Sequence, residues 1–364
     1  MQLKEDQNNL SRLLTFLLKV MQEESLESAL QKCLLFLGER EWNPIEARSQ
    51  LLQDLKRDQK EEFLYSPVEN FLTPDANVAL DSFNKYEFLL HTALKYLNQT
   101  EYLLPLLHCF AQSIMSLSSE FNNGPIHLLL RDGVAFWPSL LAINEKTKIN
   151  EIEIPVYLVS YARPHRNFNW PPLIYQQTQD QYFFSSLAKQ SNNGTLIDVG
   201  IYGSLIQDLI NKGYFSKDCA VIFLGSRNPF ITGWINKLLG AEIMMKSASC
   251  AYLPDIIRIV DTLESLLKPF HFGPHGEVRL SNPIAFVCSA LFLRAAYRFS
   301  QHIILNQQKI DPIECLKLVN THLRSQKEWA VGNVVPRWSE AERFVQSWAL
   351  GPLFPMNQLS GFSL

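Results

Sequence analysis

The apolar positions divide the chain into stretches with different rhythms. Up to about residue 120 they recur at helical spacing, and Leu10, Leu13, Leu14, Phe16, Leu17 and Val20 fall on one side of a helix. Asn43-Pro44 reads as a cap with proline at the first helical position, followed by Ile45, Leu51, Leu52 and Leu55. Ser66 to Asn77, with its two prolines, reads as a loop, and a further helical stretch is expected from Ser82 to Leu117, broken near Gln99 and Pro105.

At Asn122-Asn123-Gly124-Pro125 the rhythm changes to short apolar runs alternating with helical ones. Strands are expected at Ile126–Leu130, Ile154–Ser160, Thr195–Val199 and Ala220–Gly225. Helices are expected at Val134–Ile143, Ser204–Lys212 (ending at Gly213) and Pro229–Leu239 (stopped by Gly240). The strands are unbroken apolar runs, as in a sheet covered on both faces. The alternation predicts an α/β fold, a Rossmann-like parallel sheet. Beyond Gly240 the chain returns to helical spacing, with Ile256, Ile257, Ile259, Val260, Leu263 and Leu267 on one side of Leu253–Leu267. Ser339-Glu340-Ala341-Glu342 is a capping box that opens a helix to Leu350 before Gly351. The expected organisation is a helical region over 1–120, an α/β core over 121–250 and a helical region over 251–364.

Composition narrows this picture. With 364 residues, 47% of them hydrophobic and 19% charged, the chain can bury a large core and is not a disordered polymer. A net charge of −3 argues against general nucleic-acid binding through phosphates. The longest apolar region, Pro283 to Leu305, is interrupted by Arg294, Arg298, Gln301 and His302, so it reads as a buried core helix and not a membrane span. The N-terminus is polar and acidic, without the pattern of a secretion signal. The six cysteines are scattered, mostly within apolar runs, as buried thiols of a reducing compartment would be. A cytoplasmic protein without a membrane partner is expected.

Ligands of open parallel sheets bind at the carboxyl ends of the strands, beside a switch in strand order. Arg131-Asp132-Gly133 follows the first strand there, and a charged pair at the end of a buried strand must be solvated, paired or used. Asp198-Val199-Gly200-Ile201-Tyr202-Gly203-Ser204 follows the third, with Ser204 a natural N-cap whose helix start favours an anion. Each has a plain reading beside this one, an Arg–Asp pair closing the first turn and a capped strand-to-helix connection making the second, and the joint occurrence of acid, glycine turn and cap favours a functional site at the second. Between them Ser160 to Asn193 reads as a long polar loop, with Tyr161, Arg163, His165, Arg166 and Trp170, able to close over an anion or to form a solvated basic excursion. Ser226-Arg227-Asn228 is a weaker turn on the same rim. His271 and His275 flank Gly273-Pro274, which forbids the helix a metal pair at that spacing needs, so no metal ligands are assigned.

Leu128 to Phe136 resembles the first, diphosphate-binding element of type I phosphoribosyltransferases, and Leu196 to Leu205 resembles their 5-phosphate loop. The resemblance covers residues 122 to 240. It departs from the family in having the single acid Asp198, with Ile197 before it and Tyr202 in the threonine position. The resemblance implies a small-molecule phosphate ligand, a phosphorylated sugar or nucleotide, with transfer of a ribosyl-phosphate group. Asp198, Arg131 and Asp132 would be the catalytic groups. Gly133, Gly200, Tyr202, Gly203, Ser204 and Arg163 would bind phosphate, and Mg2+ is the implied cofactor. The same series is similar to a domain attached to haloacid-dehalogenase-like proteins of polysaccharide gene clusters, as are Leu263-Glu264 and the His271 to His275 segment, although the nucleophile motif Asp-x-Asp near an N-terminal strand is absent. Two other readings stand beside transfer: a non-catalytic binding module that meets a protein partner through its helical regions, and a helical scaffold around a relict core.

Overall fold

The computed structural model describes residues 2–38, 97, 100–121, 124–130, 132–147, 154–161, 171–178, 181–189, 192–198, 204–216, 219–223, 237–238, 263, 271–272, 278–279, 283–311 and 315. The helix expected after Asn43-Pro44, the loop Ser66–Asn77, the helix Ser339–Leu350, and most of Ser82–Gln99 and Leu253–Leu267 lie outside them.

Helices α1 (Gln2–Gln22) and α2 (Leu26–Gly38) open the chain. A 3-10 turn at Glu101–Leu103 leads into α3 (Leu104–Phe121). The break expected near Pro105 is this handover, with proline in the first helical turn, where no N–H is needed. Strand β1 (Ile126–Leu129) passes through a 3-10 turn at Asp132–Ala135 to α4 (Trp137–Thr147) and β2 (Val156–Ser160). Then come β3 (Leu173–Thr178), β4 (Gln181–Ser186), β5 (Thr195–Asp198), α5 (Ser204–Asn211) and β6 (Ala220–Phe223). The short strands β7 (Lys237–Leu238), β8 (His271–Phe272) and β9 (Val278–Arg279) precede α6 (Pro283–Leu305).

Seven strands form one sheet in the order β4-β3-β2-β1-β5-β6-β7. β2, β1, β5, β6 and β7 run parallel, and β3 and β4 extend the sheet antiparallel beyond β2. Alternate residues feed two cores. Ile126, Leu128, Val156, Leu158, Tyr175, Ile197 and Ile222 face a helical layer of α1, α2, α3, α4 and α6. Leu129, Val159, Ile174, Leu196 and Val221 face Ile206 and Leu209 of α5, with Tyr214 and Phe215 behind them. The first core takes side chains from all three stretches of the chain.

Three expectations are corrected. The helix after β1 begins at Trp137, not at Val134: a 3-10 turn intervenes, and Pro138 in the first turn of α4 sets the true start. The stretch Ser160–Asn193 is no structureless loop, because β3 and β4 pair within it from Leu173↔Ser186 to Thr178↔Gln181. Aromatic and β-branched residues pack well on a pleated surface, so Leu173-Ile174-Tyr175 and Tyr182-Phe183-Phe184 add to the sheet. Within Pro229–Leu239, expected as a helix, Lys237 and Leu238 are strand, paired in parallel with Ile222 and Phe223. A short apolar run does not distinguish helix from strand by its period.

Helix α6 is almost wholly buried from Phe286 to Ser300, and no helix among the described residues is long and apolar enough to cross a membrane. The arginines that interrupt α6 hold the end of α1. Arg294 Nε donates to Glu23 O (2.9 Å) and Nη2 to Glu24 O (2.5 Å). Arg298 donates through Nε to Glu23 O (3.1 Å) and through Nη2 to Gln22 O (2.6 Å). Carbonyls at a helix C-terminus lack intrahelical partners and favour cations, so the two side chains satisfy both needs. His108 Nδ1 is 3.0 Å from Ser300 Oγ, which donates to Ser139 Oγ (2.9 Å), a buried polar chain joining α3, α6 and α4.

Register is pinned at the amino edge of the sheet. Thr195 N–H donates to Pro125 O (2.9 Å) and Ala220 N–H to Gly194 O (3.1 Å). Gly194 has φ of 132°, and a Cβ there would stand 2.4 Å from Pro125 O. Gly194→Ala is therefore expected to destabilise the fold by about 3 kcal/mol or more, read from urea denaturation; a loss within ~0.5 kcal/mol would contradict the close approach.

Burial holds His108 and His127 neutral, each depressed from 6.5 to about 4. Between those values the unfolded chain binds more protons, so this contribution is complete above pH 6.5 and lost as pH falls through 4. Denaturation midpoints are expected to fall over that interval, and the slope to flatten in a His108→Gln, His127→Gln double variant.

Candidate functional site

β1 lies between β2 and β5 and runs parallel to both. The chain leaves β1 for β2 through α4 on one face, and leaves β5 for β6 through α5 on the other. The winding direction thus reverses between β1 and β5, the position at which open parallel sheets bind their ligands. Leu128 pairs with Ile197, so Leu129 and Asp198 end their strands at the same level. The 3-10 turn Asp132–Ala135 touches both β1 and β5.

The first expected turn therefore meets the strand end from which the second departs. Asp132 begins the turn after β1, with Gly133 in it, and Ser204 begins α5 after β5. Asp198 closes β5 and is 6% exposed. Alternation along the strand sets it on the α5 face with Leu196. A carboxylate buried to this degree must be partnered or used. Arg131, Arg163, Gly200, Tyr202 and Gly203 lie outside the described residues.

Gly133 lies close against the strand it follows. Its φ is not in the left-handed region that Gly194 and Gly213 occupy. A Cβ there would instead stand 3.3 Å from the carbonyl carbon and from Cβ of Leu128, so the turn lies flat on the strand it follows. The absent side chain permits close packing, not an unusual angle.

A cluster beside this edge takes Tyr161 from the stretch expected to close over an anion or to form a solvated excursion, and joins it to α5. Tyr161 directly follows β2, and its hydroxyl donates to Asp208 Oδ2 of α5. Lys212 Nζ donates to Tyr161 Oη (2.6 Å) and to Asp208 Oδ2 (2.8 Å). Burial first, and then the Asp208 carboxylate, push the phenol above its ordinary value, so Tyr161 is a neutral donor. The same partners hold Lys212 above its ordinary value against the opposing effect of burial. The cluster ties α5 to the end of β2 and so fixes the helix that starts at Ser204. Asp208-x-x-x-Lys212 is legible as a helical ion pair; Tyr161, 47 residues away from Asp208, is not. His271 lies in a strand, in keeping with the helix excluded by Gly273-Pro274. Among the described residues no three His, Cys, Asp or Glu side chains form a metal-binding group.

Gly133→Ala is expected to cost about 1–3 kcal/mol, because the turn must lift off Leu128. Tyr161→Phe is expected to cost about 0.5–1.5 kcal/mol, the net worth of a partly buried hydrogen bond. Urea titration of the two variants checks both, and a Gly133→Ala protein as stable as the parent would contradict the close packing.

Compared with protein-family models, curated proteins and solved structures, the chain matches none.

Proposed function

We propose that this chain is a phosphoribosyltransferase-like protein, with a Rossmann-like core, that binds a phosphorylated sugar or nucleotide in the crevice between β1 and β5. The observation that carries the reading is the register Leu128↔Ile197, which sets the turn containing Gly133 beside Asp198 where the winding reverses. Backbone N–H groups of the Asp132–Gly133 turn and of the α5 start at Ser204 would cradle phosphate, since helix starts carry free donors and partial positive charge. Gly200, Tyr202 and Gly203 would complete that second cradle.

Asp198 would orient the ribose hydroxyls. Mg2+ bound mainly by substrate phosphates and water asks for one or two protein carboxylates, and Asp198, buried at a strand end, fits that demand. When bound, the ion would neutralise the diphosphate. Arg131 or Arg163 would offset the charge that develops as the bond from the ribose anomeric carbon to diphosphate breaks and a nucleophile takes its place. The remaining gain would come from holding the reactants in line.

The non-catalytic module is the second reading. What favours it is the helical layer of α1, α2, α3, α4 and α6 packed on one sheet face, a large surface for a protein partner. Either reading suits a cytoplasmic protein.

Titration calorimetry with phosphoribosyl diphosphate and MgCl2 is expected to give saturable heat that Asp198→Ala abolishes while the circular dichroism spectrum is kept. Absence of heat from the parent protein overturns the reading. Thermal stabilisation by the same ligand, without release of diphosphate in the presence of nucleobases, selects the module over the transferase.

A further inference from the structure

β4 is the outermost strand at its end of the sheet. Its backbone groups alternate between facing β3 and facing away. Leu187 N–H donates to Pro172 O (2.7 Å), in step with the β3 pairing of Ser185 and Phe183. Tyr182, Phe184 and Ser186 therefore direct their N–H and C=O groups outward. Tyr182 N–H donates to Thr15 Oγ1 of α1 (3.0 Å), so α1 covers the first of the three. No described strand lies beyond Phe184 and Ser186, and such an edge is a template for another strand.

A groove of about 750 Å³ opens where α1, α2 and β4 meet. Phe16 and Phe36 stack within it, with ring centroids 4.1 Å apart. Leu35 (73% exposed) and Phe183 (55% exposed) stand on its walls, and they are two of the three large apolar side chains exposed among the described residues. Arg12, Lys19 and Lys32 also line it. Lys32 pairs with Glu23 and Arg12 also has a partner, whereas Lys19 has no ion pair with a described residue. A concentration of exposed apolar side chains under a basic rim on a chain of net charge −3 marks a recognition surface of opposite sign to the whole.

We propose that this groove and the β4 edge dock an extended acidic peptide segment of a partner protein. Its backbone pairs with Phe184 and Ser186, its apolar side chains rest on Phe16, Phe36, Leu35 and Phe183, and its carboxylates face Arg12, Lys19 and Lys32. The stripe from Ser11 to Lys19 spans roughly 12 Å of α1, the length of about four residues of extended chain. Outward amide and carbonyl groups call for a ligand that carries both, which a peptide does. A second copy docked by two-fold symmetry would set the same three cations against one another, so the charge disfavours it.

The test is selection of a random displayed-peptide library on the purified full chain, followed by fluorescence polarisation with the selected peptide. Expected are sequences alternating acidic with apolar residues. Lys19→Glu and Phe183→Asp, both at exposed positions and checked by circular dichroism, are each expected to weaken binding roughly tenfold. Basic or patternless selected sequences, or binding unchanged in both variants, overturn the proposal. A concentration-dependent dimer in sedimentation, dispersed by Phe183→Asp, also overturns it and makes a second copy the occupant.

Discussion

The structure depends on the parallel pairing of β1 with β2 on one side and β5 on the other. That pairing is set at the amino edge, where Gly194 comes so close to Pro125 that a Cβ would overlap its carbonyl oxygen. With Thr195 N–H on Pro125 O and Ile126 N–H on Pro155 O, three strands start level. Starting level, they end level, and Asp198 comes beside the turn that follows β1. A slip of one residue would turn every side chain of a strand to the opposite face. Here it would exchange the residues that meet the helical layer with those that meet α5.

The two faces are stabilised in different ways. Among the described residues the α5 face is held by one short helix, tied down through Tyr161, Asp208 and Lys212. The other face carries α6 in contact with α1, α2, α3 and α4. Full burial of a Leu, Phe or Ile side chain is worth about 1.5–3 kcal/mol, and Phe286, Leu291, Phe292 and Leu293 each bury nearly all of theirs there. Arg294 and Arg298 join this layer to the α1–α2 turn without breaking its apolar character, because their guanidinium groups reach out to the carbonyls of Gln22, Glu23 and Glu24. The same bonds fix where α1 ends and α2 begins, and α1 in turn covers part of the β4 edge through Thr15.

Legibility in the sequence followed how local the cause was. β1, β2, β5 and β6 were readable because each is an apolar run bounded by turn residues, and α6 because its arginines interrupt an otherwise apolar helix. The hairpin β3–β4 was not, because six-residue strands with polar ends, Leu173–Thr178 and Gln181–Ser186, look like loop until a neighbouring strand supplies their partner. β7 was missed for the same reason: Lys237 and Leu238 are strand only because β6 lies alongside.

Local chemistry alone determined the strand-to-helix alternation, the acid closing β5, the helix start at Ser204 and the burial expected of scattered cysteines, since each follows from a residue and its near neighbours in the chain. Among the cysteines, Cys33, Cys109, Cys219, Cys288 and Cys315 are buried and in no disulfide. Tertiary structure decided the rest. It brought Gly194 onto Pro125, Tyr161 onto Asp208 and Lys212, and three cations onto one groove. These meetings join residues far apart in the chain, and their geometry comes from strand register and helix packing, which no short stretch of sequence contains.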